Sequence, residues 1–359
     1  MTGRHVRSCR HNWLAVIVTV LGWVAGPATG YLDAAPVDIP LRIAGVEYLD
    51  ARQFGARYGL KPTASATGNK LTLQSAWTEI VLEADSREAS INGLRVFLGD
   101  PVRLQRGRLW LSRHDGEKTF LPLLLPGSGQ HDVPRLGLIV IDPGHGGRDP
   151  GKENHRLKVN EKTLTLDTAR RLQRVLETMG YKVQLTRDDD RHLGPDKVSD
   201  LQNRALQANR AGADLFISLH YNAVEAGADK VTGVEIYTLT PQHQFSTADA
   251  DRQDRSGAAA ANPGNAHDHW NMALGYQVHR HLIKDLRAAD RGLKRARWAV
   301  LRDVACPAIL IEAGFLSNDA EAREIATPEY RQKIAVAIAD GVQAYGNILA
   351  GVRRKGAGH

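Results

Sequence analysis

Four side chains, far apart in the chain, have the types needed for hydrolysis at a metal. His145, Glu161 and His220 offer two imidazoles and one carboxylate. Three ligands of these kinds suit a catalytic zinc, because the fourth position stays open for water. Glu312 adds a carboxylate that, beside an activated water, can take its proton and pass it to a leaving amine. Their spacing is no short-range motif such as His-Glu-x-x-His, so the fold has to bring them together. Taken singly, each carboxylate reads as well as a helix cap or a strand-end acid. All four nevertheless fall at loop edges of one predicted sheet.

The elements that must position them follow from the apolar pattern. Residues 138–141 (Leu-Ile-Val-Ile) predict a strand buried on both faces, as in the middle of a parallel sheet. Asp142-Pro143-Gly144 breaks it, and His145 follows among Gly144, Gly146 and Gly147. Open α/β sheets build ligand sites at that edge. A helix is predicted over 162–179, stopped by Gly180, with Glu161 at its start. Strands are predicted at 181–185, 215–219, 233–239 and 308–311, and helices at 199–210, 270–288 and 328–349. His220 closes one of these strands, with Asn222 two residues on, and Glu312 closes another. This rhythm builds one α/β sheet covered by helices on both faces.

Residues 36–126 read differently. Short apolar stretches at 41–43, 71–73, 79–82, 94–98 and 109–111 alternate with turn formers and predict strands and hairpins, with one helix at 50–58. No cluster of His, Asp, Glu or Cys there has a catalytic layout. Residues 126–134 are rich in turn formers and read as a linker, so the catalytic part is expected over 135–350. Residues 1–30 have the layout of a signal peptide: Arg4, Arg7 and Arg10, then a largely apolar run from Trp13 to Ala25, then Pro27 and small residues. Such a run is short of the ~20 residues that span a bilayer. Export to the periplasm or the cell exterior is therefore expected, with no stable membrane insertion after cleavage. Without those three arginines the net charge of +7 falls to +4. No basic run with interleaved aromatics suggests a nucleic-acid surface. Cys306 is left without a partner cysteine and reads as a packed hydrophobe.

Six motifs carry a family resemblance. They are Asp142-Pro-Gly-His145-Gly-Gly-x-Asp-Pro-Gly151, Asn160-Glu161-Lys162, Leu185-Thr-Arg187-Asp188, Asn203-Arg204 with Ala208-Asn209, Ser218-Leu-His220-x-Asn222, and Ile311-Glu312-Ala-Gly-Phe315-Leu-Ser-Asn318. In this order they strongly resemble the zinc-dependent N-acetylmuramoyl-L-alanine amidases of the type 3 class, over residues 138–345. The resemblance implies that His145, Glu161 and His220 bind Zn2+ and that Glu312 is the catalytic acid/base. It implies a mixed sheet between helical layers, and a peptidoglycan hydrolase that cuts the amide between N-acetylmuramic acid and the L-alanine of the stem peptide. The segment 48–125 is similar, loosely, to the copper amine oxidase N-terminal-like domain, a non-catalytic module in which these residues imply no copper.

Other readings of the same residues are a zinc peptidase or carboxypeptidase acting on the stem, and an inactive wall-binding regulator. Tyr221 stands where the pattern often has Ala, and is expected to narrow the site or stack on sugar. Some relatives carry an inserted helix that plugs the zinc until an activator moves it. The insertion here, 240–268, has no Glu and is broken by Asn262-Pro-Gly264, so it reads as a loop bordering the groove, and no activator is indicated. Arg187 and Arg204 read as scaffold, and Trp298 as either packing or a substrate contact. His279 and His281 lie two apart on a predicted helix, which points them to different faces rather than to one metal.

Overall fold

The computed structural model describes residues 40–128, 132–249 and 258–356. The expected export segment lies outside them, as does part of the insertion.

In chain order the first part comprises β1 (Leu41–Ile43), β2 (Val46–Asp50), α1 (Ala51–Arg57), β3 (Lys61–Ala64), β4 (Lys70–Gln74), β5 (Glu79–Glu83), β6 (Glu88–Ile91), β7 (Leu94–Phe97), β8 (Arg103–Gln105) and β9 (Arg108–Ser112). The alternating apolar residues do make strands. Leu71, Leu73, Ile80 and Leu82 are fully buried on one face of an antiparallel meander, β3 to β7. Strands β1, β2, β9 and β8 form a separate four-stranded sheet. Two short helices, α2 (Arg113–Asp115) and α3 (Leu121–Leu124), close this part.

The second part comprises β10 (Leu138–Pro143), a hairpin of β11 (Glu153–Asn154) and β12 (Val159–Asn160), α4 (Glu161–Thr178), β13 (Lys182–Leu185), α5 (Lys197–Ala211), β14 (Leu215–Asn222), β15 (Val234–Leu239), α6 (Asp268–Leu286), β16 (Asp290–Ala296), α7 (Ala299–Arg302), β17 (Ala308–Phe315), α8 (Asp319–Ala326) and α9 (Pro328–Gly356). Strand β10 lies between β13 and β14, parallel to both, and β14 pairs in parallel with β17. Strand β15 runs antiparallel to β17, which makes the sheet mixed.

The side-chain period of two explains the unbroken apolar runs. Ile139, Ile141, Leu215, Ile217, Ile309 and Ile311 share a core with α4, α6 and α9. Val140, Phe216, Ala308 and Leu310 point the other way, onto Ala205 and Ala208 of α5 and Val300 and Leu301 of α7.

Three features differ from the sequence expectation. Strands β14 and β17 run on through Asn222 and Phe315, so His220 and Glu312 lie within strands rather than past their ends. No strand is expected at 290–296, where Gly292 and four charged residues interrupt the pattern. Strand β16 forms there because β15 pairs with it along its length and β7 meets it at Leu293 opposite Val96. That last contact joins both parts into one eleven-stranded sheet, in the order β13-β10-β14-β17-β15-β16-β7-β6-β5-β4-β3.

Polar contacts fix the seam. Asp290 accepts from the Arg95 amide at 2.8 Å and the Gly292 amide at 2.8 Å, and meets His279 Nε2 at 2.7 Å. The Tyr276 hydroxyl donates to the Ile91 carbonyl at 3.3 Å. The described residues of the insertion pack here too. Arg87 donates to the carbonyls of Phe245 and Ser246, and Gln244 donates to Asp115 at 3.0 Å. None of them lines the cavities beside His145, which corrects their expected place along the groove. His281, on the same helix as His279, faces Asp285 instead.

Replacing Asp290 by Ala strands the buried His279 ring and the Arg95 amide. The expected loss is about 2–3 kcal/mol of stability in urea unfolding. An unchanged midpoint would show that this seam does not bind the two parts together.

Candidate metal centre

The site begins with a carboxylate already surrounded by donors. Asp142, fully buried near the end of β10, accepts from Thr186 Oγ1 at 2.6 Å, Arg204 Nη1 at 2.8 Å and Ser218 Oγ at 2.8 Å. Burial pushes its pKa up, but Arg204 and the Thr186 hydroxyl outweigh that and hold it below the usual aspartate value. Arg204 also donates to the carbonyls of Pro143 (2.9 Å) and His145 (2.7 Å), and to Asp200 at 2.7 Å. Arg187, with no exposed surface, donates to the carbonyls of Pro143 (2.9 Å), Gly144 (2.9 Å) and Lys162 (2.8 Å). Burial, with Arg204 nearby, brings the Arg187 pKa down to about 10. Both arginines thus grip the backbone behind the site and touch no cavity-facing group of the histidine loop.

They hold a backbone that would not stay put by itself. His145 has φ of +63°, a left-handed conformation uncommon for a residue with a side chain. That turn throws its ring back over the start of α4. There Asn160 caps the helix by accepting from the Thr163 amide, and Glu161 opens it.

Glu161 is buried between two imidazoles. Its Oε2 lies 3.0 Å from His145 Nε2 and its Oε1 lies 2.9 Å from His220 Nδ1. Its remaining contacts are backbone amides, Lys152 at 2.9 Å and Tyr221 at 3.0 Å. Burial raises its pKa, but the two histidines outweigh that and hold it far below the ordinary glutamate value. One ligand atom from each of the three residues lies within 4.8 Å of the others. The other nitrogen of His145, Nδ1, meets Asp149 Oδ2 at 2.9 Å, a carboxylate–histidine pair of the kind that orients metal ligands. Burial lowers the His145 pKa, and its bonds to Glu161 and Asp149 more than reverse it. Two glycines leave room for these rings. A Cβ on Gly144 would fall 2.2 Å from the His220 ring, and one on Gly151, at φ +68°, 2.6 Å from Glu161 Oε2.

Glu312 comes in from β17, opposite His220 on β14 and opposite Glu235 on β15. Its Oε2 is buried and makes no hydrogen bond within the described protein. Burial first, then the negative charges of Glu161 and Glu235, push its pKa well above the usual range. Glu235 is bonded by Asn222 Nδ2 at 2.6 Å, by the Tyr237 hydroxyl at 2.9 Å and by Lys294. Nothing in the sequence marks Glu235 out, since it reads as one polar residue in a strand. Asp149 lies inside the histidine motif, where its spacing of four from His145 was a usable signal.

All four expected residues meet at one place. A cavity of about 380 Å³ is lined by His145, Glu161, His220 and Glu312, with Lys152 and Trp298 at its edge. Trp298 is 47% exposed and stands edge-on to Tyr237 at 5.9 Å. Tyr221 is the exception. Its side chain turns away into the core, where its hydroxyl pairs with Thr168 at 2.7 Å, so it neither narrows the site nor stacks on sugar. Only its backbone amide serves the site.

A family model described as N-acetylmuramoyl-L-alanine amidase matches residues 139–344. An uncharacterized cell wall amidase of Bacillus anthracis is 29% identical over 68% of this chain and 40% of its own length. The N-acetylmuramoyl-L-alanine amidase AmiC of Neisseria meningitidis is 30% identical over 62% of this chain and 55% of its own length. The chain therefore spans about half the length of these relatives. For the germination-specific amidase of Bacillus subtilis, also 30% identical, the match covers 70% of this chain and 93% of that protein. A solved amidase from Clostridium difficile 630 matches 59% of this chain and 97% of its own, with 29% identity and a TM-score of 0.47.

Removing the charge of Asp142 tests the foundation of the site. Asp142→Asn leaves Arg204 buried beside a neutral partner and should cost about 3 kcal/mol or more at pH 7. A depressed folded pKa means that the carboxylate stabilises above its unfolded value of ~3.9 and loses that contribution as pH falls through the folded value. The gap between wild type and variant in urea unfolding should therefore shrink below pH ~4. Equal midpoints at pH 7 would contradict this role.

Proposed function

Because the chain belongs to the N-acetylmuramoyl-L-alanine amidase family, we propose that it is an exported, zinc-dependent hydrolase that cuts the amide between N-acetylmuramic acid and the L-alanine of the peptidoglycan stem. The observation that carries this reading is the meeting of His145, Glu161 and His220 with Glu312 in one open cavity.

The donor set fits zinc. It offers two imidazole nitrogens and a carboxylate that is already ionised, drawn together around glycines that leave no side chain in the way. His145, Glu161 and His220 would hold the ion. When bound, zinc polarises a carbonyl and lowers the pKa of water toward ~7. Asp149 keeps His145 oriented through Nδ1, leaving Nε2 as the donor. Glu312, raised by burial and by Glu235, is a better proton acceptor than an ordinary glutamate. In the reaction it takes a proton from the attacking water and gives it to the nitrogen of the departing L-alanine. The C–N bond breaks, the lactyl carbon keeps a carboxylate, and the stem leaves as a free amine. Lys294 and Asn222 hold Glu235 in place and so fix the charge that Glu312 faces.

Residues 36–126 are proposed as a non-catalytic accessory part.

Glu312→Gln should retain zinc and lose about 10²–10⁴-fold in release of stem peptides from purified peptidoglycan. Intact stems with a free L-alanine amine are the expected product. Shortened stems still attached to glycan would identify a peptidase instead, and undiminished turnover would remove Glu312 from the mechanism. Gly151→Ala should lower zinc content, read by elemental analysis, because its Cβ and its φ both conflict with Glu161. Stoichiometric zinc in that variant would refute the fit.

A further inference from the structure

A second cavity, of about 420 Å³, opens beside the first and shares His145, Asp149, Lys197 and His220 with it. The two have different chemistry. Trp298 and Glu312 line only the first. Arg148, His192 and Lys197 line the second, over an apolar floor that includes Pro150, Leu201 and Val300.

Acids line the second cavity as well, but each is already engaged. Asp142 is buried against Arg204, Thr186 and Ser218. Asp149 holds His145 and the Gly151 amide. Asp196 caps α5 through the Ser199 amide and hydroxyl. Asp200 holds Arg204 and the Leu193 amide. Arg204 is used up in turn on Asp142, Asp200 and the histidine loop. The cations are not so committed. Lys197 makes no hydrogen bond or ion pair within the described residues and acts only through its charge on Asp149, and Arg148 has only the His192 ring, at 3.4 Å. The cavity therefore presents two spare positive charges against internally satisfied acids.

Resting on the amidase reading, we propose that this cavity takes the peptide side of the substrate, and that Arg148 and Lys197 bind a free carboxylate on the stem residue next after L-alanine. The sugar side then lies toward Trp298, and the scissile amide lies at His145 and His220, where the cavities join. An arginine and a lysine facing a carboxylate form charge-assisted hydrogen bonds, which a carboxamide at the same position cannot match. The inference makes Arg148 and Lys197 specificity determinants rather than catalytic residues.

The test uses the zinc-loaded full chain and two glycan-linked stems that differ only in that carboxylate or its carboxamide. Wild type should favour the acid by about tenfold in kcat/KM, mostly through KM, as expected for binding made alike in ground and transition states. In Arg148→Ala/Lys197→Ala the acid-to-amide ratio should fall to about one, while Lys197→Arg should keep the preference. Affinity of the Glu312→Gln protein for the uncleaved acid and amide stems, measured by calorimetry, should show the same ratio without turnover. Equal cleavage of both stems by wild type overturns this inference alone. So does a preference that survives the double variant, or one that Lys152→Ala removes instead. Cleavage of neither stem overturns the amidase reading and this inference with it.

Discussion

The site depends on a buried ion pair, Asp142 with Arg204. Asp142 and Arg204 are both almost wholly withdrawn from water, and their attraction is useful because both also hold other groups. Arg204 and Arg187 together take up the carbonyls of residues 143 to 145, at the point where β10 stops and the chain turns into a left-handed histidine. A loop this rich in glycine would otherwise sample many conformations. The arginines make its geometry a property of the core, so His145 is presented from the end of a buried strand of the sheet. The same pair ties β10 to α5, and through Ser218 to β14, so the two histidines share one foundation.

On that foundation two glutamates are driven apart in character. Glu161 lies among donors: two imidazoles and two backbone amides. Glu312 lies among acids, with an oxygen that meets no donor. One carboxyl is held ionised and the other is made eager for a proton, though both line the same cavity. Such divergence between neighbouring carboxyls is how a single site divides ligand work from proton transfer.

Much of this was legible in the chain, for identifiable reasons. The apolar runs at 138–141, 215–219 and 308–311 could be read as buried strands because both of their faces are covered, and the four site residues follow them or open the next helix. Tyr221 was misread because its neighbours in sequence face the site, whereas a strand sends adjacent side chains to opposite faces. Strand β16 escaped because its identity comes from partners on either side and not from its own composition. Glu235 and the role of Arg148 escaped for another reason. Their meaning lies in which nearby charges are already spent, and that is a property of packing that no linear pattern records.

The seam at β16 and β7 has a mechanical consequence. His220 stands on β14, and β3 is the eighth strand beyond it in the same sheet. At ~4.8 Å per strand that is a reach of about 38 Å through continuously paired backbone. A tethered module averages over many separations and acts through local concentration. Here the span is set by hydrogen-bonded strands, so the far edge of the meander works as a gauge. Anything bound against that edge would stand at a set distance from His220.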